Sequence, residues 1–278
     1  MKRIFLVAPS FACSHERIEK AISFLGKNFS VEFRKDIFSE DEAFAGSVER
    51  RADEMNEALA SGSDIIWAIR GGYGASQIIR KIRFGKGKKK ILAGFSDFTV
   101  IGAAAADAGH DFLYCPMPYT YGKQRIGFDI ACALLSGNDL GASYAFGPEP
   151  GRKITGTAKV FCLSLLVNLI GTPYMPSLTP DTVLFLEDVK EKAYALDRYI
   201  MHLFNAGVLG KARAVFLDFT GVLKPEQVDI IKSLRRVYRR PVFTSFPFGH
   251  CHEALPVPYG YKVIIDEKNI TFTRHSHS

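Results

Sequence analysis

"ILAGFSDFTVIGAAAADAG", residues 91–109, passes from an apolar run through a polar corner at Ser96-Asp97 into an alanine-rich stretch. The run suits a buried parallel strand and the alanines suit a helix. Upstream the same alternation recurs. Residues 4–7 (IFLV) read as a first buried strand, residues 16–26 carry Ile18, Ala21, Ile22, Phe24 and Leu25 at helical spacing, and "SVEFRKD" (30–36) alternates like a strand. An amphipathic helix over 47–61 with Ala52, Met55, Ala58 and Leu59 on its apolar side, the strand "DIIWAI" (64–69) and the helix-like "ASQIIRKI" (75–82) complete the series. Repeated strand–helix units with right-handed crossovers predict an α/β, Rossmann-like doubly wound parallel sheet, whose ligands gather beyond the carboxyl ends of its strands.

From 116 to 151 the pattern is interrupted by Pro116, Pro118, Gly122, Gly137, Gly141, Pro148, Pro150 and Gly151, with a short helix over 128–135. Periodicity resumes with "VFCLSLLVNLIG" (160–171), which reads as a buried helix closed by Gly171. A strand (182–187), a helix ending at Gly207, strands over 212–219 and 241–246, and a closing hairpin turning at 267–269 follow. The predicted organisation is an N-terminal domain over 1–120, a linker over 121–155 and a smaller C-terminal α/β domain over 156–278.

A chain of 278 residues with 47% hydrophobic residues has ample material for a core. Its net charge of +7 is scattered; the densest run, Lys86-Gly87-Lys88-Lys89-Lys90, reads as a solvated loop entering a strand, which disfavours nucleic acid as a partner. Five widely spaced cysteines without a C-x-x-C pair support neither a disulfide framework nor a structural zinc site. The basic start and apolar run of "MKRIFLVAPSFAC" imitate a secretory signal, but Pro9 breaks the run and no small-x-small cleavage site follows. No apolar stretch approaches the ~20 residues of a membrane helix. The expectation is a cytoplasmic protein that does not engage a membrane.

Function is therefore sought at the strand ends. Ser96 is either a helix cap or a nucleophile on a strand-to-helix corner; Gly94-Phe95-Ser96 fits the start of a nucleophile elbow, although Phe98 stands where that pattern has its last glycine. Arg70-Gly71-Gly72-Tyr73-Gly74 suits an oxyanion hole, a phosphate cradle or a plain turn, without a phosphate-loop fingerprint. Glu187 and Asp188 close the strand at 182–187, and His250 and His252 follow the one at 241–246. A serine hydroxyl needs a base to become a nucleophile at neutral pH, and a carboxylate fixes the tautomer of a histidine base. Ser96, His250 and Glu187 supply those residue types.

Taken together, "APS", "FAGSVERRADEMNEAL", "AIRGGYGAS", "GFSDFT", "NLIGTP", "FLEDVKEKAYALDR" with "LFNAGVL", and "FPFGH" with "LPVPYG" resemble, in order and over nearly the whole chain, the LD-carboxypeptidases (muramoyltetrapeptide carboxypeptidases) and the microcin C immunity proteins grouped with them. The resemblance implies two α/β domains with the active site between them, a homodimer, a Ser96–Glu187–His250 triad and no metal or organic cofactor. It implies a cytoplasmic serine carboxypeptidase that releases the terminal D-alanine of a murein tetrapeptide during cell-wall recycling. The oxyanion hole would be backbone N–H groups of Gly72 and Asp97, with Arg70, Gly71 and Tyr73 binding substrate and Arg70 clamping a carboxylate. Asp188, Asp197 and Arg198 belong to the motif as structural residues. Val160 and Phe161 stand where the family usually has two glycines, Gln77 where arginine is common, and Cys115 where glycine is common. Those departures keep two alternatives: a microcin-like peptide-conjugate amidase, and a catalytically silent peptide-binding homologue.

Overall fold

The computed structural model describes residues 1–85, 87–137, 139–146 and 153–275, so that Lys86 of the basic run and Pro148, Pro150 and Gly151 of the predicted linker lie outside the described residues. The chain runs β1 (Arg3–Val7), α1 (His15–Leu25), β2 (Ser30–Glu32), α2 (Val48–Ala60), β3 (Ile65–Ala68), α3 (Ala75–Ile78), β4 (Ile91–Gly94), α4 (Thr99–Asp107), β5 (Asp111–Tyr114) and α5 (Arg125–Ser136). It continues with β6 (Ala142–Ala145), β7 (Ile154–Cys162), α6 (Leu163–Leu169), β8 (Thr182–Val189), α7 (Ala193–Asn205), α8 (Val208–Lys211), β9 (Ala212–Thr220), α9 (Lys224–Val237) and β10 (Val242–Phe243). β11 (Val257–Tyr259), β12 (Lys262–Ile265) and β13 (Asn269–Thr273) close the described chain. Two compact units result, one of Met1–Leu140 with His252–Tyr259, the other of Gly141–Cys251 with Gly260–Ser278.

Among the described residues, the first unit holds a six-stranded sheet in the order β11-β5-β4-β3-β1-β2, parallel except where β11 meets β5. Its central strand β3 has Ile65, Ile66, Trp67 and Ala68 all at 0% exposure, as a parallel strand covered on both faces requires. α2 begins at Ser47, whose side chain accepts the Arg50 N–H at 3.2 Å, and buries Ala52, Met55 and Ala58. Among the described residues, the second unit holds a seven-stranded sheet in the order β10-β9-β8-β7-β12-β13-β6, whose first four strands are parallel and last three antiparallel.

Several sequence expectations change. The helix expected over 128–135 is present as the longer α5, bracketed by Gly122 and Gly137 and burying Phe128, Ala131, Cys132 and Leu135, and the stretch 121–155 also contains β6, which the sequence reading did not include. Phe128 stacks on Trp67 with ring centroids 4.9 Å apart, which ties this helix to the first sheet. Val160, Phe161 and Cys162 end a strand: they pair with Phe185, Leu186 and Glu187 of β8, and α6 starts only at Leu163. The apolar stretch Val160–Leu163 has no period of its own to separate strand from helix. Val160 and Phe161, at 0% exposure, are core residues of this sheet. β2 is only three residues long, since Arg34 folds back onto Asp36 in a charged turn (2.9 Å).

Candidate active site

In the first unit, β4 leads into a corner where Ser96 takes φ 58°, a left-handed conformation rare for a residue with a Cβ. A short 3-10 turn, Ser96–Phe98, then hands over to α4, with the Thr99 hydroxyl donating to the Ser96 carbonyl at 2.5 Å. Ser96 makes no helix-cap hydrogen bond there, since the residue at the N-cap of the turn is Phe95. The glycine loop lies directly against it. A Cβ on Gly71 would fall 2.9 Å from Ser96 Cβ and 3.0 Å from its Oγ, so a residue without a side chain is needed for the loop to pass.

Asp97 anchors this corner. Its carboxylate, 2% exposed, accepts the Ser10 hydroxyl at 2.6 Å and the Ala75 N–H at 2.8 Å, joining the loop after β1 and the start of α3 to the serine turn. Burial raises the carboxyl above its ordinary 3.8, against those two hydrogen bonds and the charge of Arg51. Arg51, 1% exposed, donates to the carbonyls of Pro9 (2.9 Å) and Gly74 (3.0 Å) and to Gln77 Oε1 (2.6 Å). Gln77 is thus the acceptor for a buried arginine.

The other predicted residues of this unit spread along the same loop. Gly72, at φ 118°, packs on the Phe11 ring. Tyr73 is 52% exposed, with its ring 5.6 Å from that of Phe44. Arg70 donates to the Ala12 carbonyl and lies over the rings of Tyr119 (4.5 Å) and Phe11 (5.5 Å). With Arg17, whose guanidinium is 5.0 Å from the Tyr119 ring centroid, it lines a cavity of about 300 Å³. Glu40 lines the same cavity, so that it carries both signs of charge.

In the second unit, Glu187 lies on β8 at 0% exposure, and its Oε2 lies 2.6 Å from His250 Nδ1. A carboxylate only accepts, so the proton sits on Nδ1 and Nε2 is the basic ring nitrogen. Burial disfavours the imidazolium, but Glu187, through its charge and its hydrogen bond, and behind it Asp188 and Asp218 favour it more, lifting His250 above 6.5. Gly249, at φ 77°, makes the approach possible: a Cβ there would fall 2.4 Å from Glu187 Cγ and 2.7 Å from Oε2. Asp188 points elsewhere, its two oxygens accepting the N–H groups of Ser164 and Val189 at 2.9 Å, which fixes the strand end and the first turn of α6. On α7, Arg198 stacks over Tyr194 at 5.1 Å.

The structure therefore brings Glu187 and His250 together, and separately gathers Ser96, Gly71 and Asp97. Sequence reasoning missed Ser10, Arg51, Gly249 and Asp218. Gly249 and Asp218 carried a readable signal, one directly before the histidine and the other at the end of the strand run 212–219. Among the described residues no helix is long and apolar enough to cross a membrane, and no group of three His, Cys, Asp or Glu side chains is placed to hold a metal ion.

The chain matches the family models of the LD-carboxypeptidase N-terminal domain over residues 4–114 and the LD-carboxypeptidase C-terminal domain over residues 155–265. Among curated proteins it is 23% identical to a murein tetrapeptide carboxypeptidase of Pseudomonas aeruginosa (95% of this chain, 93% of that one). It is 25% identical to the microcin C7 self-immunity protein of Escherichia coli (96% and 90%). Its fold matches that of a muramoyltetrapeptide carboxypeptidase from Oxalobacter formigenes with a TM-score of 0.85 at 24% identity, covering 99% of this chain and all of the other. It also matches the self-immunity protein solved in complex with aspartyl sulfamoyl adenosine, with a TM-score of 0.86 at 22% identity over 100% and 97%. With both family domains in order over most of its length, the chain belongs to the LD-carboxypeptidase family.

Proposed function

We propose that the protein is a serine-type LD-carboxypeptidase that hydrolyses the terminal L,D-peptide bond of murein tetrapeptides and releases D-alanine, a reaction of peptidoglycan recycling. The observation that carries this reading is the buried Glu187–His250 couple at 2.6 Å, which leaves Nε2 as a positioned base. Ser96 is the nucleophile: its Oγ adds to the scissile carbonyl carbon as Nε2 takes its proton, and the imidazolium then protonates the departing D-alanine amine. Water, activated by the same base, releases the acyl group. The backbone N–H groups of Gly72 and Asp97 hold the oxyanion, and Arg70, beside Gly71 and Tyr73, receives a substrate carboxylate. The proposed working form is a cytoplasmic homodimer.

Release of D-alanine from murein tetrapeptide by the wild type, abolished in Ser96→Ala and His250→Ala, is the expected result. No release by folded wild type overturns it. The likeness to the self-immunity protein favours a second reading, an amidase acting on a peptide conjugate, which predicts cleavage of aspartyl sulfamoyl adenosine in preference to the tetrapeptide. Binding of either compound without turnover would identify a silent homologue.

A further inference from the structure

Beside Glu187 stands a second carboxyl group that the triad does not use. Asp218 is its register partner on β9. Side chains of register partners in a parallel pair share a face, and the row one period earlier shows which face this is: Phe185 and Phe216, also partners, stack with centroids 4.4 Å apart. Phe248 meets Phe185 edge-on at 5.6 Å, so the segment carrying Gly249, His250 and Cys251 covers the same face. Asp218 is held there by the Thr220 hydroxyl, which donates to its Oδ1 at 2.8 Å.

We infer that Asp218 is a positioning residue which, through its negative charge on the Glu187–His250 face, strengthens the proton affinity of His250 and sets the acid limit of the reaction. It acts through His250 and not on substrate. The inference rests on the proposed serine–histidine chemistry for its link to catalysis.

Other titratable groups surround it. β8 contributes Glu187 on the same face and Asp188, β7 contributes Cys162 as the register partner of Glu187 on its other side, and the segment after β10 contributes His250 and Cys251. Burial lifts Asp218 to about 6; the Thr220 hydroxyl opposes the rise, Glu187 adds to it, and Cys251 and His250 oppose it. Asp218 therefore gains its charge over the pH range in which a histidine base loses its proton. An anion facing an imidazolium raises its pKa, so removing that anion must lower it.

The test is an NMR titration of the His250 ring nitrogens in the full chain, from pH 4 to 9, for the wild type and Asp218→Asn. Asparagine keeps an acceptor for Thr220 and removes the charge. The expected result is a His250 pKa lower by roughly half a unit or more in the variant, the scale of a charge acting across a partly buried site. In the wild type, the His250 shifts carry a second inflection near pH 6, lost in the variant. The acid limb of kcat/KM moves down in step. An unchanged His250 pKa in folded Asp218→Asn, with no second inflection in the wild type, overturns the inference and leaves Asp218 a structural residue. A His250 pKa that moves while the kinetic limb does not keeps the coupling between the two groups, and counts against His250 as the base and so against the proposed function.

Discussion

At Ser96 the local backbone works against stability. A residue with a Cβ at φ 58° carries strain of about 1–3 kcal/mol, which glycine would relieve. Ser96→Gly should therefore unfold at higher urea by about 1 kcal/mol while losing hydrolysis, a result equilibrium unfolding and a D-alanine assay read together. Unchanged or reduced stability would mean that the serine is not strained. Gly249 offers the complementary test. Alanine there drives a Cβ into Glu187, so Gly249→Ala should cut kcat/KM by about 100-fold or more through misplacement of His250, with the wild-type level retained if the contact is unimportant. The pH profile follows from the same couple. His250 must be neutral to accept the serine proton, and its pKa lies above 6.5, so activity should fall with decreasing pH from a midpoint above that value. A midpoint at or below 6 would contradict the role of Glu187.

At the scale of elements, the strand-end rule exposed Ser96, the glycine loop, Glu187 and His250 in the sequence. It did so because parallel strands deliver their following residues to one edge of the sheet. What anchors the Ser96 corner and the glycine loop within the first unit was not legible. Asp97 reads as a motif acid, yet its carboxylate ties Ser10 to Ala75 across 87 and 22 residues of sequence. Asp97→Ala leaves a buried hydroxyl and a buried N–H without acceptors and should destabilise the fold by about 2 kcal/mol or more, with faster hydrogen exchange through 71–75. Exchange confined to distant elements would argue that Asp97 does not anchor the loop. The run 160–171 shows the limit of periodicity from the other side: Val160–Cys162 leads into α6 without a turn signal, and pairing with β8 divides them.

At the scale of the whole molecule, the α/β class was legible from alternating runs, as were the first strand and the closing hairpin of β12 and β13, but the return of β11 was not. β11 lies far down the sequence and returns to the first sheet to pair with β5, with Pro258 opposite Leu113. A three-residue run containing proline gives no strand signal of its own, and such a strand is tolerated because it sits at a sheet edge. The compact units follow this return, so that His252 belongs with the first and His250, two residues earlier, with the second. Membership of the LD-carboxypeptidase family, evident in motifs spread over both units, is a property of the full path. Ser96 is proposed as an acyl-transfer nucleophile activated by His250. The direct measurement is reaction of the full chain with a peptidyl phosphonate directed at nucleophilic serines, followed by intact-mass analysis and peptide mapping. One adduct on Ser96, absent in Ser96→Ala and strongly slowed in His250→Ala, is the result expected. An adduct on another residue, or D-alanine release that persists in Ser96→Ala, would contradict it.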